Sequence, residues 1–213
     1  MLNNIDINID KSENYIQINN ISTDDLTKIW EPLTTQYPGY EVVLCFRDMP
    51  APMEALTFIG AELLEDCIKM QLTAFEHITY ENNKAKQLTK DDFITIANLH
   101  DTNNPDMYWT SQRICDKWDD WRIFAIWSEG NITGYAMMSI NLRDEQLAEV
   151  FCVEADNLIK KKALLSALAH CAFECGKKVI VYMVDQGDKL DYDAALAVGF
   201  SNAGYYSGYI VKL

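Results

Sequence analysis

Apolar segments that are continuous or alternate with polar residues are distributed over most of the chain. Such segments predict strands, and they lie at residues 15–21, 42–46, 63–72, 121–127, 132–140, 148–156 and 179–184, with a last one ending at residue 213. Apolar residues at helical spacing predict helices that begin near Ser22, Thr89 and Ser111 and that cover residues 53–59, 163–178 and 192–198. Strands and helices in this order predict an α/β protein in which helices flank a sheet.

The same order of elements occurs twice along the chain. The first series covers residues 15–72 and consists of a strand, a helix, an apolar strand, a short helix, a glycine and a strand. The same series covers residues 149–213, where KVIVYMVD corresponds to EVVLCFRD. A repeat changes the expected number of domains, so we interpret the first copy as a duplicated half-domain. Residues 74–86 are polar and without periodicity. We therefore expect a structural half-domain at residues 1–73, a linker at 74–87 and a second domain at 88–213.

The composition restricts the class of partner. The chain has 213 residues, of which 49% are hydrophobic and 23% charged, a balance typical of folded globular proteins. Its net charge of −14 argues against a nucleic-acid partner, because phosphate binding requires the opposite field. A partner that carries a cation or an amine is easier to accommodate.

Cysteine spacing and hydropathy indicate no metal and no membrane. The six cysteines form no close Cys-x-x-Cys pair, which structural zinc sites need. No run of about 18 apolar residues is present, so we expect no transmembrane helix. The amino terminus, MLNNIDINIDKSENY, is polar and acidic and is unlike a secretory signal. We therefore expect a cytoplasmic protein.

The stretch at residues 148–178 is the first candidate for a binding site. It contains a strand (AEVFCVEAD), a basic connection (NLIKKK) and a helix (ALLSALAHCAFECGKK). A strand that leads into a helix start directs free backbone N–H groups and the positive end of a helix dipole at a nearby anion. The three lysines are suited to the same anion, although solvation of the helix start explains them equally well.

From residue 88 onward the chain resembles the GNAT family of acetyl-CoA-dependent N-acetyltransferases. The phrases that carry the resemblance are FAIWSEGNITGYAMMSI, AEVFCVEADNLIKKKALLSAL and DYDAALAVGFSNAGYY. The resemblance implies a mixed, mostly antiparallel sheet flanked by helices. It also implies direct attack of an amine on acetyl-CoA in a ternary complex, without a metal. The first copy of the repeat resembles the carboxy-terminal half of the same fold.

The resemblance also implies which residues contact acetyl-CoA. The strand edge along the pantetheine arm is Phe151, Cys152 and Val153. The pyrophosphate loop is formed by seven consecutive residues, Asn157, Leu158, Ile159, Lys160, Lys161, Lys162 and Ala163. The family pattern there is Gln or Arg, two residues, Gly, one residue, then Gly or Ala; only Ala163 matches it. Either the lysines compensate by charge for the missing glycine, or the loop no longer binds CoA.

The chemistry requires a base for the amine proton and an acid near the departing sulfur. Glu154 and Glu149 are the candidate bases, and each has the alternative interpretation of a surface carboxylate. Many family members place the acid Tyr at the position of Ala195, so Tyr192 on the same helical face is the candidate acid. We interpret His100 and His77 as structural.

Two functions remain open. The first is an acetyl-CoA-dependent N-acetyltransferase, and the alternative is a catalytically inactive GNAT-fold protein that binds or regulates. For an enzyme, the acidic composition and an aromatic group (Tyr108, Trp109, Trp118 and Trp121) suggest a small cationic or aromatic amine as acceptor, although aromatic residues of this kind more often belong to a core. Asp24 and Asp25 at the first copy's helix start would repel a pyrophosphate, which predicts a structural role for that copy. Both a monomer and a homodimer are compatible with the sequence.

Overall fold

A computed structural model describes residues 5–73, 85–105, 107–142 and 144–213. The chain divides into two compact units, one formed by Met1–Lys69 with Ala203–Leu213 and the other by Met70–Asn202. Residues 74–84 of the expected linker, with His77, lie outside the described residues. The expected domain boundaries stay a prediction. The compact units differ from the expected domains at the carboxy terminus, because Ala203–Leu213 belongs to the same unit as the amino-terminal residues.

The described residues form ten strands and seven helices. In chain order they are β1 (Asp6–Asp10), β2 (Tyr15–Asn19), α1 (Thr23–Gln36), β3 (Glu41–Arg47), α2 (Met53–Ile59), β4 (Glu62–Leu72), β5 (Ala85–Gln87), α3 (Lys90–Ile94), α4 (Ala97–Asn103), α5 (Ser111–Asp116), β6 (Trp121–Ser128), β7 (Asn131–Ser139), β8 (Leu147–Ala155), α6 (Leu158–Glu174), β9 (Val179–Asp185), α7 (Lys189–Val198) and β10 (Ser201–Lys212). A short 3-10 turn precedes β6.

The first unit is a five-stranded sheet with helices packed on it. Its strand order is β1-β2-β3-β10-β4, with β2 and β3 parallel and the pairs β1–β2 and β3–β10 antiparallel. Alternate residues of β2 and β3 point to one face, because the side-chain period of a strand is two. They pack against α1 and α2 in a core that includes Ile16, Ile18, Leu26, Ile29, Leu33, Val42, Leu44, Phe46 and Leu56.

The second unit has the strand order β9-β8-β7-β6-β5. The strands from β5 to β8 are antiparallel, and β8 and β9 are parallel. On one face Tyr135 and Met137 contact a core cluster with Phe93 of α3 and Ile114 of α5. On the other face α6 packs against β5 to β8. The predicted mixed, mostly antiparallel sheet flanked by helices is confirmed.

Three local elements differ from the sequence prediction. β1 is absent from the predicted set, because its DINID sequence is rich in residues that strands disfavour. The helix expected from Thr89 is two helices, because Thr95 and Ile96 bond to carbonyls three residues back and tighten the turn there. The basic connection is also helical, since the Asn157 side chain caps α6 and the helix begins at Leu158.

The two segments of the predicted repeat have the same order of elements. In each, a helix connects two parallel strands along the chain. In each, a second helix ends at a left-handed glycine, Gly60 or Gly199. A glycine after the short helix of each copy was expected from the repeat. A common origin by duplication stays a prediction.

Candidate active site

The parallel strands β8 and β9 pair only over their first residues. Pairing ends where Val150 lies opposite Tyr182, although β8 continues to Ala155 and β9 to Asp185. The backbone of β8 beyond Val150 is therefore not paired with β9. We call the space between the two strands beyond this point the β8–β9 groove.

A β-bulge lies at the start of the groove. On the antiparallel side of β8, Met137 is opposite Cys152 and Met138 is opposite Val150, so Phe151 is an extra residue without a partner. A bulge of this kind bends its strand and increases the local twist. The bend coincides with the point at which β8 and β9 part.

The bulge turns two consecutive side chains into the same core cluster. The Phe151 ring centre lies 5.1 Å from that of Trp121, and Cys152 is buried beside Met137. Burial raises the pKa of the Cys152 thiol well above its usual value. Any contact of Cys152 with a molecule in the groove must therefore come from its backbone.

The side chain of Lys161 enters the groove from α6. Its Nζ donates a hydrogen bond of 2.6 Å to the carbonyl of Val153 and forms an ion pair with Asp191 of α7. The hydroxyl of Tyr182 on β9 donates to the other oxygen of Asp191 at 2.5 Å. Only 8% of the Lys161 side chain is exposed. One network therefore joins α6, β8, α7 and β9.

Burial governs protonation in this network. It raises the pKa of Asp191 above the usual value, although the hydrogen bonds from Lys161 and Tyr182 act in the opposite direction. Burial and the nearby Asp191 raise the pKa of Tyr182 far above its usual value. Tyr182 therefore keeps its proton and acts as a donor.

Glu154 is the half-buried carboxylate beside the groove. Burial raises its pKa, the ammonium of Lys161 opposes the rise, and Asp191 adds to it. Glu154 lies directly opposite Tyr135 on β7, so both side chains are on the face that carries α3 to α5. A carboxylate with a raised pKa binds a proton more readily than an exposed carboxylate does, which suits it to accept a proton from an amine.

A buried polar group lies on the same face of the sheet. The Tyr135 hydroxyl is 3.4 Å from His100 Nδ1 and 3.4 Å from Asn104 Nδ2. His100 Nε2 lies 2.9 Å from the carbonyl of Trp109, and His100 is completely buried. The sequence gives no signal for this group, because Tyr135 is 35 residues from His100 and 31 residues from Asn104 along the chain.

The other two predicted catalytic residues lie elsewhere. Glu149 precedes the bulge, where β8 is paired on both sides with Ser139 of β7 and Val181 of β9. Tyr192 follows Asp191 in the first turns of α7 and is half-buried. The bulge thus separates Glu149 from Glu154. The catalytic roles of Glu154, Glu149 and Tyr192 stay predictions.

The start of α6 is capped by its own residues. The Asn157 side chain accepts a hydrogen bond of 3.0 Å from the backbone N–H of Lys160. The Lys160 ammonium lies 2.9 Å from the carboxylate of Asp156 and 3.4 Å from the carbonyl of Thr133. A partner for Lys160 is therefore already present.

The residues expected to form the pyrophosphate loop have different environments. Leu158 and Ile159 are exposed, Ala163 is half-buried and Lys162 is exposed, whereas Lys161 is buried in the groove network. The backbone N–H groups of Leu158 and Ile159 in the first helical turn have no partner within the helix, as at any helix start. Their role in phosphate binding stays a prediction.

The aromatic residues expected near the acceptor belong to the core of the second unit. Trp121 is fully buried, and Trp109 and Trp118 pack against the same cluster. The guanidinium of Arg113 lies 4.1 Å from the centre of the Tyr108 ring. A cation from the chain itself therefore already contacts one of these rings.

Among the described residues, no group of three or more His, Cys, Asp or Glu side chains could hold a metal ion. None of the helices in the described ranges is both long enough and apolar enough to cross a membrane.

The sequence matches no protein-family model and no curated protein, but solved structures share its fold. A GCN5-related N-acetyltransferase from Kribbella flavida has 10% identity and a TM-score of 0.61, over 92% of this chain and 80% of that one. A tandem GNAT protein from the clavulanic acid biosynthesis pathway has 9% identity and a TM-score of 0.58, over 98% and 78%.

N-myristoyltransferase from Saccharomyces cerevisiae, solved with bound myristoyl-CoA and inhibitors, is also similar. It has 10% identity and a TM-score of 0.52, over 92% of this chain and 60% of that one. At such identities the likeness concerns the fold alone. The chain has the GNAT fold.

Proposed function

We propose that this chain, which has the fold of GNAT acetyltransferases, is an N-acetyltransferase that transfers an acetyl group from acetyl-CoA to a small amine in a ternary complex. One observation carries the proposal. The groove between β8 and β9 opens at a bulge, and Glu154, a half-buried carboxylate with a raised pKa, lies just beyond it. The similar structures include an N-acetyltransferase and an N-myristoyltransferase solved with bound myristoyl-CoA, and both support this choice of reaction.

The groove suits an extended ligand that carries amides and phosphates. The unpaired edge of β8 around Val153 would pair with amide groups of the pantetheine arm. The first-turn N–H groups of α6 and the exposed Lys162 would hold the pyrophosphate. Lys161 does not fit this arrangement, because its ammonium already donates a hydrogen bond to the carbonyl of Val153. Bound acetyl-CoA supplies a thioester carbonyl that an amine can attack.

Glu154 is the proposed base. The amine nitrogen loses a proton as its bond to the acetyl carbon forms, and the Glu154 carboxylate accepts that proton directly or through a water. The C–S bond breaks, and the sulfur leaves with a proton that we assign to the hydroxyl of Tyr192. Glu154 must be ionised to act, so we expect kcat/KM to rise with pH through its pKa.

Substitution of the two candidate bases tests the assignment. We expect Glu154→Gln to lower kcat by about 10²- to 10⁴-fold, the usual contribution of general base catalysis, and to abolish the rise of kcat/KM with pH. Glu149→Gln, on the other side of the bulge, is the matched control and should keep activity near the wild-type level. Equal losses in the two variants would exclude Glu154 as the specific base.

A second function is favoured by the Lys161 contact. If Lys161 keeps the β8–β9 groove closed to acyl-CoA, the chain is a GNAT-fold binding or regulatory protein without transferase activity. Isothermal titration with acetyl-CoA and with CoA distinguishes the two functions. Micromolar binding supports the enzyme, and absence of binding at millimolar ligand supports the alternative.

The acceptor that we propose is a small cationic or aromatic amine. The net charge of −14 favours a cation. Rates of acetyl transfer to a polyamine, an aminoglycoside and an aromatic amine, compared with rates for neutral amino acids, test this choice. Transfer to the amino acids alone would contradict it.

A further inference from the structure

We propose that Lys161 is an internal occupant of the β8–β9 groove and that acyl-CoA binds only after its ammonium group has left the carbonyl of Val153. This inference rests on the proposed function. It also makes Lys161 a residue that sets the affinity for the acyl carrier.

The first observation is the position of the ammonium group. Val153 lies beyond Val150, the last residue of β8 that is paired with β9. A strand edge of this kind offers its backbone to an extended ligand. The carbonyl of Val153 accepts from Lys161 Nζ at 2.6 Å, so a ligand amide that pairs there must displace the lysine.

The second observation is that the side chain is held on both sides of the groove. Lys161 pairs with Asp191, and Asp191 accepts from Tyr182 at 2.5 Å. Tyr182 is the last residue of β9 that is paired with β8. The network therefore spans the groove from β8 to β9 at the point where the strands part.

The third observation is the contrast with the neighbouring lysines. Lys160 pairs at the surface with Asp156, whose side chain is 71% exposed, and Lys162 is exposed. Only Lys161 is both buried and bonded to the β8 backbone. General solvation of a helix start, which explains Lys160 and Lys162, does not explain Lys161.

A buried ion pair of this kind favours one conformation without adding much stability. The cost of removing two charges from water offsets most of their attraction, but removal of one partner leaves the other charge unpaired and is strongly destabilising. A single substitution of Lys161 therefore carries a risk of unfolding. Asn at position 191 can still accept the hydrogen bond from Tyr182, so the paired change Lys161→Ala with Asp191→Asn avoids the unpaired charge.

Isothermal titration with acetyl-CoA tests the inference on wild type, on this paired variant and on Lys162→Ala as the matched control. We expect the paired variant to bind about tenfold or more tightly than wild type, the equivalent of one charge-assisted hydrogen bond that the ligand no longer has to replace. Lys162→Ala should bind no more tightly than wild type. Circular dichroism checks that each variant is folded.

The outcomes separate the inference from the proposed function. If wild type binds and the paired variant does not bind more tightly, Lys161 is no obstacle and the inference is wrong, whereas the proposed function stands. If only the paired variant binds, the inference is supported and the transferase function of the wild-type chain is wrong. If neither binds, both are wrong.

Chemical reactivity gives a measurement that does not depend on CoA. We expect an N-hydroxysuccinimide acetate reagent to modify Lys161 at least about tenfold more slowly than Lys162, because its amine is desolvated and ion-paired. Peptide mass spectrometry of briefly treated wild type gives the two rates. Equal rates would show that Lys161 does not occupy the groove in solution and would overturn the inference.

Discussion

Glu154 lies half-buried on β8, within electrostatic reach of Lys161, Asp191 and His100. Burial has the largest effect on its pKa and raises it, and the ammonium of Lys161 reduces the rise. A folded-state pKa above the unfolded value means that the protonated carboxyl is favoured in the folded protein. The ionised form therefore costs stability at neutral pH.

This cost predicts how Glu154→Gln changes stability with pH. The stability that the protonated Glu154 side chain contributes is fully present below the unfolded pKa of about 4.3, and it is lost as the pH rises through the folded pKa. We therefore expect the variant to gain free energy of unfolding relative to wild type as the pH rises above about 4.3. The side chain is only half-buried, so solvent screening keeps the gain below about 1 kcal/mol.

Urea denaturation at several pH values measures the difference. Glu41→Gln, at an exposed position of β3, is the control and should differ little from wild type at any pH. A relative loss of stability of Glu154→Gln with rising pH would show that the carboxylate is stabilised in the folded protein, contrary to this description.

Helix α6 carries both the groove lysine and the buried face that packs on β5 to β8. Its buried residues include Leu164, Leu165 and Leu168, which fix the helix on the sheet by removing apolar surface from water. Its first turn depends on the cap by Asn157, whose side chain accepts from the backbone N–H of Lys160. The cap therefore determines the residue at which α6 begins and the position from which the Lys161 side chain projects.

We expect Asn157→Ala to lower the free energy of unfolding by about 1 kcal/mol, the usual effect of losing an N-cap side chain. Asn157→Asp should retain most of the stability, because a carboxylate accepts the same hydrogen bond and also interacts favourably with the helix dipole. Chemical denaturation compares the three proteins. An equal loss in both variants would mean that the cap does not hold this turn.

The chain as a whole carries 32 acidic and 18 basic residues. Such an excess creates a negative potential that raises the rate of encounter with cations. The effect depends on salt, because the screening length falls from about 30 Å at 0.01 M to about 8 Å at 0.15 M ionic strength.

For the proposed transferase, this field predicts that kcat/KM for a polyamine falls several-fold as ionic strength rises over that range. The value for an uncharged aromatic amine should change little. Steady-state rates with the two acceptors at equal acetyl-CoA saturation measure the contrast. The same salt dependence for both acceptors would show that the protein's field does not select cations.

Much of the fold follows from local chemistry. The apolar run in β3, the helix start at Thr89 and the glycine after the short helix of each repeat copy are all present as expected. Each depends on residues that are close in the sequence, such as a side chain that caps a turn three residues away. The resemblance to the GNAT fold could be recognised for the same reason, because the three phrases that carry it are stretches of neighbouring residues beyond residue 88.

The candidate site depends on contacts between distant residues. The sequence placed Glu154 at the end of a strand and three lysines at a helix start, but it could not assign Lys161 to the groove. That assignment needs Val153 on β8, Asp191 on α7 and the parting of β8 from β9 at the Phe151 bulge. Three adjacent lysines have the same local pattern, and only packing in three dimensions buries one of them, pairs another and leaves the third in solvent.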